Sequence, residues 1–335
     1  METKAENVSR RAPDKKNTPS WSPLKRGEQV EVRGAAEILA TLDGEGVLDD
    51  LPFMPEMIPF IGKRFTVSRR IEKTCLDYPS QTFRRFQHND VVFLEALRCS
   101  GEAHGACQRG CMIFWKEAWL RRVDDAEETV RVEQQDALSI LESRLKTRAQ
   151  GDVFICQSSR LERATEHIPP VDRVMVSVTE IRNGNRKVFE VLGMFVRTAF
   201  WKMRGKLLGT HPKGTLGKTP TEAVNLQPGD WVEVKSYEEI YTTLDARGRN
   251  RGMKFDLDMR FFCGERHRVS RRLDRMIRED TGEMLHPQNT VLLDGVNCQC
   301  IFATGGCPRA EAFYWREIWL KRVGDLPGQT DHDRS

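Results

Sequence analysis

An internal repeat constrains the fold of this chain more than any other feature of its sequence. Matching segments recur at a nearly constant offset, and chance does not sustain such an offset over this length. The matching pairs are 27–32 with 229–234 (GEQVEV, GDWVEV), 67–70 with 269–272 (VSRR in both) and 114–123 with 314–323 (FWKEAWLRRV, YWREIWLKRV). The chain therefore contains a duplicated unit, and its two occurrences are called copy 1 and copy 2.

Each copy has the pattern of a small barrel of short strands. It opens with alternating valines, as a half-buried strand does, and a segment of helical spacing follows at residues 35–42 or 237–244. The further predicted strands are 64–70, 91–97 and 112–120 in copy 1, and 266–273, 290–293 and 312–320 in copy 2. Short strands joined by polar loops are typical of small barrels. The pattern resembles SH3-like barrels, including the C-terminal barrel of nitrile hydratase beta subunits.

The predicted fold is therefore mainly β with α segments, in which two tandem small SH3-like barrels are joined by a partly helical middle region. The expected domains are a disordered tail (1–24), copy 1 with a Cys-rich loop (25–124), the middle region and linker (125–226), copy 2 (227–325) and a second disordered tail (326–335). Within the middle region we predict a helix over 133–149, a short strand over 153–156 that extends the first barrel, and a linker at 211–220.

Composition favours a reducing compartment and gives no global electrostatic signal. The first 20 residues have no apolar core and cannot be a secretory signal. Nine cysteines cannot all pair within one chain, so thiols or metal ligands in a cytoplasm are expected rather than disulfides. A net charge of +4 over 335 residues is small. A nucleic-acid or membrane partner must therefore be argued from local clusters.

Residues 188–206 form the most apolar stretch and end in basic side chains. Glu190 and Arg197 interrupt the stretch, so no uncharged run is long enough to cross a bilayer. Two interpretations stay open. The favoured one is a helix packed on a barrel with a solvated basic end. The other is a basic amphipathic helix lying on an anionic surface, which would make a cytoplasmic protein peripheral to the inner membrane.

A thiol-rich loop predicts a metal site in copy 1. Cys99, His104, Cys107 and Cys111 fall within 13 residues, and Cys75 lies upstream. Thiolate and imidazole ligands suit tetrahedral zinc, and the glycines in the loop allow it to fold tightly. An iron–sulfur cluster on the four cysteines is the lesser alternative. The remaining alternative is that free cysteines are simply small buried residues.

Copy 2 offers a second set of thiols, which could close a zinc site if the fold gathers them. The set consists of Cys263, Cys298, Cys300 and Cys307. Counting back from the shared tryptophan, Glu311 stands where copy 1 has Cys111, and we expect Glu311 to be a solvated surface charge. The second site is therefore rearranged or degenerate. Cys156 has no partner nearby in the sequence and is expected to be buried rather than a ligand.

Catalysis and nucleic-acid binding are the other interpretations. Cys107 with His104 could act as nucleophile and base, but a cluster of thiols is better explained by coordination. No phosphate-binding loop, serine elbow or zinc-protease motif occurs. Residues 247–278 are rich in arginine with interleaved phenylalanines, and Arg271 and Arg272 are candidate contacts for a single strand. The favoured alternative is that these arginines pair with carboxylates on solvated strand faces.

Several motifs together resemble a family of functionally uncharacterised bacterial proteins. They are LPFMPEM at 51–57, KTC at 73–75, the 99–111 loop, FWKEAWL at 114–120, VFICQ at 153–157 and LQPG at 226–229. The resemblance covers the chain from about residue 27 onward and implies the tandem arrangement and a bacterial source, but no activity. Members often have a cysteine where copy 1 has Ile61, whereas copy 2 keeps it as Cys263. If that cysteine is a ligand in relatives, the first site here has lost it.

The sequence thus predicts a non-catalytic binding or assembly protein whose first copy is stabilised by zinc and whose partner is a further protein. The motivation is the duplicated unit with its paired aromatic segments and the lack of a recognisable catalytic motif. Two alternatives stay open. One is a metal-dependent enzyme that uses the Cys/His site, and the other is single-stranded nucleic-acid binding through copy 2.

Overall fold

The chain folds into small antiparallel sheets accompanied by helices. The computed structural model describes residues 22–76, 83–95, 97–123, 134–149, 151–208, 214–298 and 308–324. Nearly all of both predicted tails and part of the predicted linker lie outside these ranges. No helix in the described part of the chain is both long and apolar enough to cross a membrane.

Copy 1 is built around a five-stranded sheet with the order β8-β7-β4-β1-β9. Its elements are β1 (Gln29–Val32), α1 (Ala35–Thr41), β2 (Val47–Leu48), β3 (Leu51–Pro52), β4 (Arg64–Arg70), β5 (Thr74–Cys75), β6 (Phe83–Phe86), β7 (Val91–Leu94), β8 (Trp115–Lys116) and β9 (Leu120–Arg122). The prediction of one continuous strand over 112–120 is wrong. Two short strands flank a 3₁₀ turn at Glu117–Trp119, which lets the chain leave β7 and return to pair with β1.

The middle region is mostly helical. It contains α2 (Gln134–Arg144), α3 (Gln157–Ala164), β10 (Thr165–His167), α4 (Arg173–Arg182) and α5 (Val188–Leu208). Helix α2 ends before the predicted residue 149, because Arg148 forms a bridge with Phe154. The strand predicted over 153–156 does not form; Val153 bridges Glu283 of copy 2, and Cys156 caps α3.

Copy 2 has a sheet of the same order, β18-β17-β14-β11-β19. Its elements are β11 (Trp231–Val234), α6 (Tyr237–Tyr241), β12 (Arg249–Asn250), β13 (Met253–Lys254), β14 (Arg266–Arg272), β15 (Met276–Ile277), β16 (Met284–Leu285), β17 (Thr290–Leu293), β18 (Trp315–Arg316) and β19 (Leu320–Arg322). Val30 faces Arg122 in copy 1, and Val232 faces Arg322 in copy 2. Both sheets are open within the described residues, so closed SH3-like barrels stay a prediction.

Each copy has a core of aromatic residues supplied by the strand Trp115–Lys116 or Trp315–Arg316 and by the 3₁₀ turn that follows it. Trp115 and Trp119 in copy 1 and their counterparts Trp315 and Trp319 in copy 2 have no exposed surface. Each pair packs against a phenylalanine from an earlier strand or the turn beside it. The core of copy 1 also takes in side chains of the middle region and of β15. Burial of large aromatic side chains is the main source of stability in such small units.

The two copies meet through reciprocal contacts. Arg109 Nη1 donates to the carbonyl oxygen of Ile277 in copy 2 at 3.3 Å. Arg309 occupies the matching position in copy 2, and its Nη1 donates to the carbonyl oxygen of Cys75 in copy 1 at 2.7 Å. Cys75 and Ile277 themselves occupy matching strands, β5 and β15. The contact is therefore isologous, as between the subunits of a two-fold dimer, although both halves belong to one chain.

Candidate metal centre

The thiol-rich loop of copy 1 is tightly folded and closed at its base. The amide of Cys99 donates to the carbonyl oxygen of Cys111 at 2.8 Å. A 3₁₀ turn at Glu102–His104 lies between two glycines with left-handed backbone conformation, Gly101 and Gly105. A Cβ atom at Gly101 would lie 2.0 Å from the carbonyl oxygen of Cys107, so only glycine fits there. This compaction, which the glycines of the loop predicted, holds His104 against the body of copy 1.

His104 is buried and forms hydrogen bonds through both ring nitrogens. Nδ1 lies 2.7 Å from Glu56 Oε1, and Nε2 lies 2.9 Å from the carbonyl oxygen of Ile155. Burial alone would raise the pKa of Glu56, but the hydrogen bond and charge of His104 outweigh it and lower that pKa. An ionised carboxylate and a carbonyl oxygen can only accept, so each ring nitrogen of His104 faces an acceptor. A metal ion could reach either nitrogen only by displacing one of these two acceptors.

Cys99 completes a cluster of donors with Glu56 and His104. One ligand atom from each of the three residues lies within 4.8 Å of the others, and no other such cluster occurs in the described part of the chain. The second carboxylate oxygen of Glu56, Oε2, is buried and accepts no hydrogen bond from any described residue. Burial, followed by the nearby Glu56 carboxylate, raises the pKa of the Cys99 thiol. This group of Glu56, Cys99 and His104 is a set of donors that could hold a metal ion.

A cavity of about 30 Å³ lies beside these donors and is lined by most of the predicted ligands. Its walls include the side chains of Cys99, His104, Cys107, Cys111 and Cys156 from copy 1 and the middle region, and Ile277 and Arg309 from copy 2. A cavity volume of about 15 Å³ is enough for one water molecule, so this cavity can hold an ion. Both copies and the middle region therefore enclose one sulfur-rich space.

The structure does not gather all the predicted thiols to ligand distance. Zinc–sulfur bonds of about 2.3 Å place tetrahedral sulfurs roughly 3.8 Å apart, and no three described thiols meet even the wider limit of 4.8 Å. Cys107 accepts a hydrogen bond from the amide of Ile277 at 3.4 Å. Cys75 is buried on β5, and it is absent from the described residues that line the cavity. Cys156 is buried as predicted, yet its side chain faces the cavity.

Glu56 is the member of the site that the sequence did not suggest. It precedes His104 by 48 positions and lies on a 3₁₀ turn at Pro55–Phe60. A lone glutamate at that separation has no spacing signal. Its position inside LPFMPEM, one of the motifs that carry the family resemblance, is the single clue in the sequence.

The geometry gives little support to a cysteine nucleophile. Both ring nitrogens of His104 contact other groups, Glu56 and the carbonyl oxygen of Ile155, rather than Cys107. Burial raises the pKa values of Cys111 and Cys156, although Cys111 keeps some exposed surface. Nucleophilic cysteines require the opposite shift, toward the thiolate.

The second predicted metal set is only partly described. Cys300 and Cys307 lie outside the described residues, whereas Cys263 and Cys298 both pack against the core of copy 2. Half-burial raises the pKa of Cys263 to about 11. The expectation that Glu311 is solvated is wrong: it is buried, with Oε1 lying 2.8 Å from Arg309 Nη2. A buried carboxylate in this position balances the charge of Arg309 at the junction of the copies.

The predicted nucleic-acid contacts make intramolecular interactions. Arg272 Nη1 lies 2.9 Å from the buried carboxylate of Glu317 and 2.7 Å from the carbonyl oxygen of Leu226. The same three-part contact occurs in copy 1 among Arg70, Glu117 and Leu24. Arg271 Nη1 lies 3.5 Å from the carbonyl oxygen of Gln108. These contacts give both arginines a structural role, and nucleic-acid binding by them stays a prediction.

Comparison of the chain with protein-family models, with curated proteins and with solved structures finds no match.

Proposed function

We propose that this chain is a non-catalytic binding and assembly protein in which a zinc ion, held beside the thiol-rich loop, fixes copy 1 and copy 2 in one arrangement. The observation that supports this most is the cavity, because its walls come from both copies and from the middle region. An ion bound there would link segments that are far apart in the sequence, as structural zinc sites do.

The donors fit zinc in chemical type. Glu56 supplies a buried oxygen without a hydrogen-bond partner among the described residues, and Cys99 supplies sulfur. His104 would join them only after exchanging one of its two hydrogen bonds for the metal. The remaining thiols line the same cavity. Because Cys99 is held as a neutral thiol by burial, zinc binding would release its proton, and zinc affinity should rise with pH.

Elemental analysis of the purified full chain tests this proposal. We expect about one zinc ion per chain in the wild type and none in Cys99→Ser. In Glu56→Gln the affinity for zinc should fall at least tenfold. Cys75→Ser is the matched control, because Cys75 is absent from the described residues that line the cavity and the variant should keep its zinc. Thiolate-to-metal absorption after cobalt substitution, present in the wild type and absent in Cys99→Ser, reports the ligand directly.

Other outcomes decide between the alternatives. A chain without metal, or zinc lost from Cys75→Ser but kept by Glu56→Gln, contradicts the proposed centre. Iron with acid-labile sulfide assigns the cluster alternative instead. Metal-dependent turnover that disappears in Cys99→Ser, while the melting temperature is unchanged, replaces the binding function with the enzyme alternative.

A further inference from the structure

A large basic groove lies on copy 2. Its volume is about 1210 Å³, above the 300–1,000 Å³ typical of small-molecule pockets. Four arginines line it: Arg247, Arg249, Arg251 and Arg316. Apolar side chains such as Met253, Leu285 and Phe313 also line it. The groove thus combines positive charge with an apolar surface.

The positive charges in this groove are not balanced from within the described protein. Asp256 is the one acidic residue among the described residues that line it, and its carboxylate lies 2.8 Å from Lys254 Nζ. No carboxylate of the described residues lies within ion-pair distance of the four arginines. Arginines on a protein surface are usually near counter-charges, so four together without one suggest an external anion.

In copy 1 the positive charge at the position that matches Arg316 is neutralised by carboxylates. Lys116 of copy 1 corresponds to Arg316, and its Nζ lies 2.8 Å from Asp49 and 3.0 Å from Asp90. Copy 2 has Arg251 in place of Asp49 and Asn289 in place of Asp90. Both carboxylates that neutralise the cation in copy 1 are therefore missing in copy 2.

The charge difference extends along the β2–β3 ribbon of copy 1 and its counterpart, β12–β13. Glu45 of copy 1, whose carboxylate lies 2.6 Å from Lys146 Nζ, is replaced by Arg247. Val47 is replaced by Arg249. The two ribbons occupy the same place in their copies. The shared fold therefore does not require these arginines, because copy 1 has the same ribbon without them.

Arg316 is partly buried in this charged surface. Its two Nη atoms donate to carbonyl oxygens of Gln288 and Arg251 at 2.7 and 2.9 Å. Its Nε is buried and has no hydrogen-bond partner among the described residues. Burial, and then the like charge of Arg251, lower the pKa of Arg316. A bound anion between Arg251 and Arg316 would remove the repulsion that these two side chains now experience.

We propose that this groove binds single-stranded nucleic acid through its phosphate groups. Arginines contact phosphate through several hydrogen bonds at once, and a row of them follows a phosphate backbone better than a single small anion. Sites for single strands combine a basic groove with side chains that unstacked bases can lie against, and the exposed Leu285 and the half-buried Tyr314 line this groove. This inference deepens the proposed binding function by naming a ligand class, and it does not require zinc.

Fluorescence anisotropy with labelled single-stranded DNA and RNA, measured on the full chain at several salt concentrations, tests the inference. The double variant Arg247→Glu/Arg251→Asp gives copy 2 the residues that copy 1 carries at these positions, so it should fold. We expect its affinity to fall at least tenfold. The slope of log affinity against log salt should shrink by about 0.7 for each phosphate that the variant no longer neutralises.

A matched control separates the groove from net charge. Arg197→Glu/Lys202→Glu makes the same change in net charge at exposed positions of α5, and its affinity should stay within twofold of the wild type. Zinc content and melting temperature are measured on the same samples, so failure of the metal centre is distinguished from failure of the groove. Equal decreases in affinity in both double variants would overturn the inference.

Competition experiments identify the ligand. Unlabelled oligonucleotides should displace the probe, and inorganic polyphosphate should displace it more weakly because it lacks bases. The inference is overturned if neither DNA nor RNA binds at low salt. It is also overturned if a nucleoside triphosphate binds as tightly as an oligonucleotide, or if polyphosphate binds and oligonucleotides do not.

Discussion

Glu31 and Glu233 show how one position can differ between the two copies. Glu31 in β1 lies 3.2 Å from Arg64 and 2.6 Å from Arg121. Glu233 in β11 keeps the first contact, with Arg266 at 3.2 Å. Arg121 is replaced in copy 2 by Lys321, whose Nζ lies 2.9 Å from Glu239. Burial alone would raise the pKa of Glu31, but the hydrogen bonds and charges of Arg121 and Arg64 outweigh it and lower that pKa.

The lowered pKa of Glu31 predicts a pH-dependent stability. Glu31 contributes fully to the free energy of unfolding when the pH is above its pKa in the unfolded chain, about 4.5. This contribution is lost as the pH falls through the lower pKa of the folded state, because the unfolded state binds the proton more readily. Glu31→Gln should reduce the free energy of unfolding by about 1.5 kcal/mol at pH 7. Urea unfolding of wild type and variant from pH 7 to pH 3 measures this difference.

The difference between wild type and Glu31→Gln should shrink below pH 4.5. Glu233→Gln serves as the control, because Glu233 lacks the arginine that corresponds to Arg121, and its destabilisation should be smaller. A difference that stays constant down to pH 3 would show that charge on Glu31 is not its source.

At the scale of elements, α5 has two apolar faces with different surroundings. Val191 and Met194 are buried, and Trp201 packs edge-on against Phe261 of copy 2 with ring centroids 5.7 Å apart. The opposite face is exposed and carries Phe189, Leu192, Val196, Phe200 and Met203. By helical position, Arg197 and Arg204 flank that face on one side and Lys202 and Lys206 on the other. The exposed faces of two protein molecules would repel each other through these basic side chains, whereas an anionic lipid surface is complementary to one such face.

We therefore expect the chain to sediment with vesicles that contain anionic phospholipid and not with neutral vesicles. Leu192→Asp places a charge in the middle of the exposed face and should abolish sedimentation. Ile140→Asp, an equally drastic change at an exposed residue of α2, is the control and should leave sedimentation unchanged. Equal sedimentation with neutral vesicles, or none with either, would leave the favoured sequence interpretation, a helix packed on the body of the protein.

Elements with a strong local pattern were predictable from the sequence. Helix α5 and strand β17 have nearly the predicted bounds, because alternation and helical spacing reflect which face is buried. Segment 153–156 was predicted wrongly, because its backbone bonds are decided by a partner in copy 2. The metal centre likewise has a part that a local pattern predicts and a part that depends on distant contacts. The loop was visible in cysteine spacing, but the Glu56–His104 contact arises from folding, and no periodicity encodes it.

At the scale of the whole molecule, a buried ion pair of copy 2 holds the arginine that contacts copy 1. Arg309 Nη1 lies 2.7 Å from Glu279 Oε1, and the same guanidinium donates to Cys75 of copy 1. Both side chains of the pair are almost completely buried. Removal of one partner leaves the other as an uncompensated charge, which costs about 3 kcal/mol or more.

A double-mutant cycle measures this ion pair. Arg309→Met and Glu279→Gln should each lower the free energy of unfolding by about 3 kcal/mol, with a coupling energy of about 2 kcal/mol. The control is the pair Arg85–Glu166, which has the same 2.7 Å separation but is solvent-exposed. Its coupling should stay below about 1 kcal/mol. Equal coupling in both pairs would mean that burial does not strengthen the Arg309–Glu279 ion pair.

The reciprocal contacts of Arg109 and Arg309 have a consequence for how the two halves can differ. In a two-fold homodimer every substitution appears twice, so an uncompensated row of arginines would appear on both subunits. Here each half is encoded separately, and a ribbon with acidic side chains in copy 1 coexists with a cationic ribbon in copy 2. Because the halves share one chain, dilution does not separate them. The described part of the molecule therefore keeps the packing of a symmetric pair, while copy 2 carries an arginine-rich ribbon that copy 1 lacks.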